Sequence, residues 1–134
     1  MKPVVLVRGG GDIASGVIYR LKRAGYPVVV SEIPIPTMIR RDVCYGNAVH
    51  LGEIVLEHFV ARHVSLDQAK TMIDDQCQPN RDTDMTIPVV TMVEYRDMLA
   101  SIQPEIVVDG ILAKRNVGTS SNDAALVIGI GPGF

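Results

Sequence analysis

Short apolar runs and amphipathic stretches alternate along the chain, and glycine or proline marks almost every change of period. Val4 to Val7 is a continuous apolar, mostly β-branched run, the pattern of a strand buried on both faces. Gly9, Gly10 and Gly11 end it. From Ile13 the period changes: Ile13, Val17, Ile18, Leu21 and Ala24 share one helical face, with Arg20, Lys22 and Arg23 away from it. Gly25 stops the helix. Tyr26 to Ile33 reads as a second buried strand. These pieces make a βαβ unit of about 30 residues, a crossover that is right-handed in nearly all cases.

Pro34 and Pro36 exclude a helix directly after the second strand. A short helix is predicted over 46–51, and Glu53 to Val64 reads as one strand or a pair. Ser65 and Gln68 stand at the N-cap and N3 positions of a capping box, opening a helix on "SLDQAKTMIDDQ". Gln78 to Met85 is a polar loop, "TIPVVTM" a strand and "VEYRDMLASI" a helix. "PEIVVDGIL" is a further buried strand, "SSND" a turn, and Ala124 to Ile130 a last apolar strand. Strands alternating with helices predict an α/β fold, Rossmann-like, with a mostly parallel sheet and helices on both faces. No repeat or linker interrupts the pattern, so residues 1–134 are read as a single Rossmann-like domain of the nucleotide-binding type.

Composition narrows the function. A net charge of −2 argues against non-specific nucleic-acid binding, which needs a basic face. Four Tyr, two Phe and no Trp leave little for stacking single-stranded bases. No apolar run approaches the ~20 residues of a membrane span. The opening "MKPVVLVRGG" lacks the apolar segment and cleavage site of a signal peptide. Cys44 and Cys77 are far apart and outside any CxxC spacing, so a reducing, cytoplasmic setting is expected.

The richest motif is Gly9-Gly10-Gly11-Asp12-Ile13-Ala14, a match to G-x-G-x-x-G/A placed between a strand and a helix. In this pattern Gly9 makes the tight turn, Gly11 lets backbone N–H groups approach a pyrophosphate, and Ala14 keeps helix and strand close. The helix N-terminus adds free donors and a favourable dipole for an anion. Glu32, 18 residues after Ala14 at the end of the second strand, is placed to accept a ribose 2′-hydroxyl and to repel a 2′-phosphate. Asp12 favours the helix start but opposes a phosphate, and Arg8 is the nearby charge that can offset it. Val17 and Ile18 occupy the Lys-Ser/Thr positions of a Walker motif, which excludes a P-loop. The competing reading is a bare strand-to-helix turn.

Other stretches carry weaker signals. Arg40 and Arg41 suit phosphate or carboxylate recognition, against the plainer reading of a solvated pair. Cys44 beside them is either a reactive thiol or a merely buried one. The histidines and cysteines do not fit zinc-site spacing, so no metal is expected. The loop after "VVDG" places Lys114 and Arg115 to reach phosphates, and Asn116 and Thr119 to bond a base or ribose, against a plain polar surface loop. No catalytic triad stands out, and whether the chain is an enzyme stays open. The final "VIGIGPGF" runs a strand into a glycine turn with no element after it, which predicts a fragment of a longer protein, or an edge covered by a partner subunit, including a second copy.

The set "VRGGGDIASGVIYRLKRAGYPVVVSEIPIPTMIRR", "AVHLGE", "VVDGILAKRNVGT" and "LVIGIGPGF" resembles YqeB-type selenium-dependent molybdenum hydroxylase system proteins over nearly the whole chain. It is distantly similar to the Rossmann part of xanthine dehydrogenase accessory proteins. The resemblance implies a protein about twice as long, of which this is the N-terminal half. It also implies a bacterial cytoplasmic setting and an accessory role that involves a molybdenum hydroxylase subunit. It hands over no catalytic residue. The expected ligand is a nucleotide, with NAD or a molybdopterin dinucleotide as candidates, held by Gly9 to Ala14, Glu32 and the "AKRN" loop. The alternatives are an NAD-dependent oxidoreductase and a non-catalytic protein-binding scaffold.

Overall fold

The computed structural model describes residues 2–79 and 84–134, so positions 80–83 of the expected polar loop lie outside the described residues. Among the described residues, seven strands form one sheet in the order β3-β4-β5-β2-β1-β6-β7. They are β1 (Val5–Arg8), β2 (Val28–Ser31), β3 (Glu53–Leu56), β4 (Phe59–His63), β5 (Ile87–Val90), β6 (Ile106–Asp109) and β7 (Leu126–Gly129). Every neighbouring pair is parallel except the β3–β4 hairpin. The run β5-β2-β1-β6-β7 reproduces five strands of the doubly wound order 3-2-1-4-5-6, with the hairpin added beyond β5.

Strand alternation sorts the apolar runs into two cores. Val5, Val7, Val28, Val30 and Val89 face α1 (Asp12–Arg23) and a turn of 3-10 helix at Tyr45–Asn47, which leads into the short α2 (Ala48–Leu51). Leu6, Val29, Val90 and Val107 face α3 (Leu66–Gln76) and α4 (Tyr95–Ile102). Helices therefore cover both faces, as the near-continuous apolar strands require. Among the described residues, no helix is long and apolar enough to cross a membrane.

Local rules explain most boundaries. The capping box at α3 is complete: Gln68 N–H donates to Ser65 Oγ, and Ser65 N–H to Gln68 Oε1. The Glu53–Val64 stretch is two strands, joined at Glu57-His58. Helix α1 departs from its expected face. Ile13 is 53% exposed, whereas Lys22, expected on the solvent side, is buried beside Ala14, Ser15 and Ile18. Ala14 packs tightly against Gly110, where an added Cβ would lie 2.8 Å from the Ala14 Cβ. Lys22 lays its stem inward, and its ammonium reaches Gln76 Oε1 of α3, 3.2 Å away.

Candidate functional site

The sheet changes direction at β1: β2 lies on one side of it and β6 on the other. A doubly wound sheet opens a crevice at this point, beyond the carboxyl ends of its strands. Here the crevice is a cleft of about 470 Å³. Arg8, Gly9 and Gly11 line its floor, Glu32 and Met38 one wall, and Tyr95 and Ile111 the other.

The three glycines have different duties. Gly9 has φ +89°, and an added Cβ would sit 3.2–3.3 Å from the backbone of Gly110 and Ile111. Gly10 abuts Gly46, whose Cα would lie 2.7 Å from an added Cβ. Its carbonyl accepts from Gly46 N–H at 2.9 Å and from Ser15 Oγ at 3.2 Å. Gly11 is the N-cap of α1 with an ordinary φ of −76°, and an added Cβ would meet nothing within 4 Å. It has no side-chain capping bond. The first intrahelical bond runs from Ser15 N–H to Gly11 C=O, which leaves the N–H groups of Asp12, Ile13 and Ala14 without intrahelical partners. Gly11, Asp12 and Ile13 line the cleft; Ala14 is buried behind them.

Glu32 is held by the loop itself. Gly10 N–H donates to its Oε2 and Ile33 N–H to its Oε1, both at 2.8 Å. The carboxylate is thereby oriented at the cleft wall, and each oxygen retains a lone pair for a further donor. Asp12 pairs with Arg40 across the mouth at 3.3 Å, an exposed contact worth at most about 1 kcal/mol. Arg8 does not offset Asp12. Its guanidinium stacks on the Tyr95 ring, 3.8 Å from the centroid. It also donates to Thr119 Oγ1 (2.6 Å) and Val117 C=O (3.2 Å) and approaches Asp109 Oδ2 (3.9 Å).

The loop after β6 departs from its expected roles. Thr119 is buried, and its hydroxyl donates to Asp109 Oδ2 at 2.6 Å, so it braces the loop instead of facing a base. The Asn116 amide closes its own turn, accepting from the N–H groups of Gly118 and Thr119 and donating to Thr119 C=O. Lys114 and Arg115 are exposed, and the cleft is lined by Ile111, Leu112 and Val117 of this loop instead. The structure thus gathers Gly9, Gly11, Asp12 and Glu32 at the cleft, sets Gly10 and Ala14 directly behind it, and leaves Lys114, Arg115 and Asn116 outside.

Sequence reasoning missed two features. Ser15 is buried and links two elements, donating to Gly10 C=O and accepting from Tyr45 N–H at 2.9 Å. Tyr95 donates to Asp123 Oδ2 at 2.7 Å. Burial and that bond hold its phenol far above the usual range. Burial pushes the Asp123 carboxyl up, but donors from Ser120, Tyr95 and Arg96 outweigh it and hold the group below its usual value. A small polar residue on an apolar helix face was the available signal for Ser15; Tyr95 had none. Cys44 is a buried thiol donating to Arg40 C=O at 3.1 Å. Burial, then the Asp12 carboxylate, raises its pKa, the opposite of a reactive cysteine. Among the described residues, no three His, Cys, Asp or Glu side chains gather to hold a metal ion.

No protein-family model matches the chain. No solved structure matches it either. Among curated proteins, the chain is 38% identical over 131 residues to the uncharacterized protein YqeB of Escherichia coli (strain K12). That alignment covers 98% of this chain but 23% of YqeB, a smaller share than the half implied by the motif resemblance, and a match within the N-terminal half of YqeB is consistent with it. The chain is thus similar to E. coli YqeB along nearly all of its own length, while it spans about a quarter of that protein.

Proposed function

We propose that the cleft binds a nucleotide or dinucleotide-type ligand, with a phosphate at the N-terminus of α1 and a ribose at Glu32. We further propose that the protein is a cytoplasmic accessory factor of a molybdenum hydroxylase system, as its motif resemblance implies. Gly11 carries the first reading. The chain's own packing demands Gly9 and Gly10, but it makes no such demand on Gly11, whose added Cβ would meet nothing within 4 Å. A bare Cα at the open end of a 12-residue helix, on the floor of the cleft, leaves room for an anion to reach the N–H groups. The cleft volume of about 470 Å³ lies within the range for small-molecule sites.

Charge selects among ligands. Asp12, Glu32 and Glu94 line the cleft against Arg8, which already faces Asp109. This balance disfavours a nucleoside triphosphate or a 2′-phosphate and suits a dinucleotide with an unmodified ribose. NAD and a molybdopterin dinucleotide share the pyrophosphate and fit this end of the cleft equally. The oriented Glu32 carboxylate supplies the ribose acceptor in either case.

Thermal denaturation with NAD, NADP, ATP, CDP and a molybdopterin dinucleotide tests the site. A ligand at 100 times its Kd stabilises the native state by about 2.7 kcal/mol. Gly11→Val should leave the unliganded protein within about 1 kcal/mol of wild type, because its Cβ enters open space, and should abolish the ligand shift. A folded variant that responds to ligand as wild type does would refute the site.

A further inference from the structure

Among the described residues, one end of the sheet is unfinished. There β7 pairs with β6 alone, and the stretch from Ala124 to Ile130 holds no charge and no proline. Natural edge strands are usually protected by charges, prolines, bulges or a covering element. The opposite edge shows one such device: β3 is closed by a hairpin and carries the Glu53–Arg62 ion pair at 2.8 Å. Leu126 of β7 and Ile130 just after it turn their N–H groups inward, to Glu105 C=O and Asp109 C=O. The alternate N–H groups of Val127 and Gly129 therefore face outward along the free edge.

The apolar surface runs past its cover at the same place. Val5, Ile106 and Leu126 form one cross-strand row, and Val7, Val108 and Ile128 the next. The inner members pack under the α1 layer, whereas Leu126 is 49% and Ile128 43% exposed. Among the described residues, the order β5-β2-β1-β6-β7 also lacks the outermost strand of the doubly wound arrangement, and that position falls at this edge.

We propose that the free edge of β7 is completed by an apolar β-strand joined in cis, drawn from polypeptide of the kind the longer relative carries outside the matched stretch. Two observations favour this occupant over a second copy. A stable two-chain interface needs about 800 Å² from each partner. A four-residue strand with two exposed apolar side chains offers far less. A tethered strand needs no such area, because a short linker supplies an effective concentration in the millimolar range. The relative has the length to supply one, since the matched stretch is 23% of it.

Hydrogen exchange on this chain and on intact E. coli YqeB tests the proposal. In this chain the Val127 and Gly129 amides should exchange as open edge groups. In YqeB the amides at the aligned positions should exchange at least about 100-fold more slowly. Lysine at the position aligned with Ile128 should lower the melting temperature of YqeB, while Ile128→Lys in this chain should not. Equal, rapid exchange in both proteins would overturn the proposal. So would protected Val127 and Gly129 amides in this chain alone; light scattering that then showed a dimer would assign the edge to a second copy.

Discussion

Three consecutive glycines sit in three different surroundings, and substitution separates them. Gly10→Ala forces a Cβ to within 2.7 Å of the Gly46 Cα, backbone against backbone, so something must shift. The expected loss is about 2 kcal/mol or more, read as a lower urea midpoint. Gly11→Ala should cost less than about 1 kcal/mol in the same experiment, since nothing lies within 4 Å of its added Cβ. If the two variants were equally stable, the contact between Gly10 and the Tyr45–Asn47 turn would not hold in solution. The motif itself was legible in the sequence. The division of labour was not, because it depends on Gly46, 36 positions away and across a proline-bearing segment.

At the level of elements, the β3–β4 hairpin turns through Glu57 (φ +50°) and His58 (φ +75°). Both central residues of this two-residue turn hold positive φ, the pattern that favours Asn-Gly. His58→Gly should therefore stabilise the protein by about 0.5–1 kcal/mol, measured as a rise in melting temperature. Helix α3 offers the opposite sign. Ser65→Ala removes the acceptor for Gln68 N–H and should cost about 1 kcal/mol. The capping box was readable because it is a local pattern of four residues. The face that α1 buries was not, because it depends on contacts far along the chain, such as Ala14 against Gly110 in the loop after β6, and it leaves Ile13 outward and Lys22 inward.

Across the whole molecule, Lys22 joins the two helical layers, from α1 to Gln76 of α3. Burial lowers its pKa from 10.5 to about 8, against the opposing pull of Asp84. The folded protein thus releases this proton near pH 8, while the unfolded chain keeps it to about pH 10.5. Below pH 8 both states are protonated and the cost of burying the charge is fully present. Between about pH 8 and 10.5 the unfolded state binds more protons, so this group's contribution to stability rises with pH. Relative to Lys22→Met, the wild type should gain on the order of 3 kcal/mol across that window, read from urea melts of both proteins. A constant difference between them would show that the amine is solvated.

Apolar periodicity and punctuation alone determined that the chain folds as alternating strands and helices, because each signal acts within a few residues. Runs such as "VVLV" and "YPVVV" are buried on both faces and demand a covered, mostly parallel sheet wherever they occur. Tertiary structure alone decided which polar groups face the cleft. Asn116 and Thr119 read in isolation as free hydrogen-bonding groups, yet they are occupied within their own loop and by Asp109. Glu32 reads as a free carboxylate, yet two backbone N–H groups hold it in place. A hydrogen bond is made by proximity in space, and residue type and spacing do not state which donors the fold will bring near.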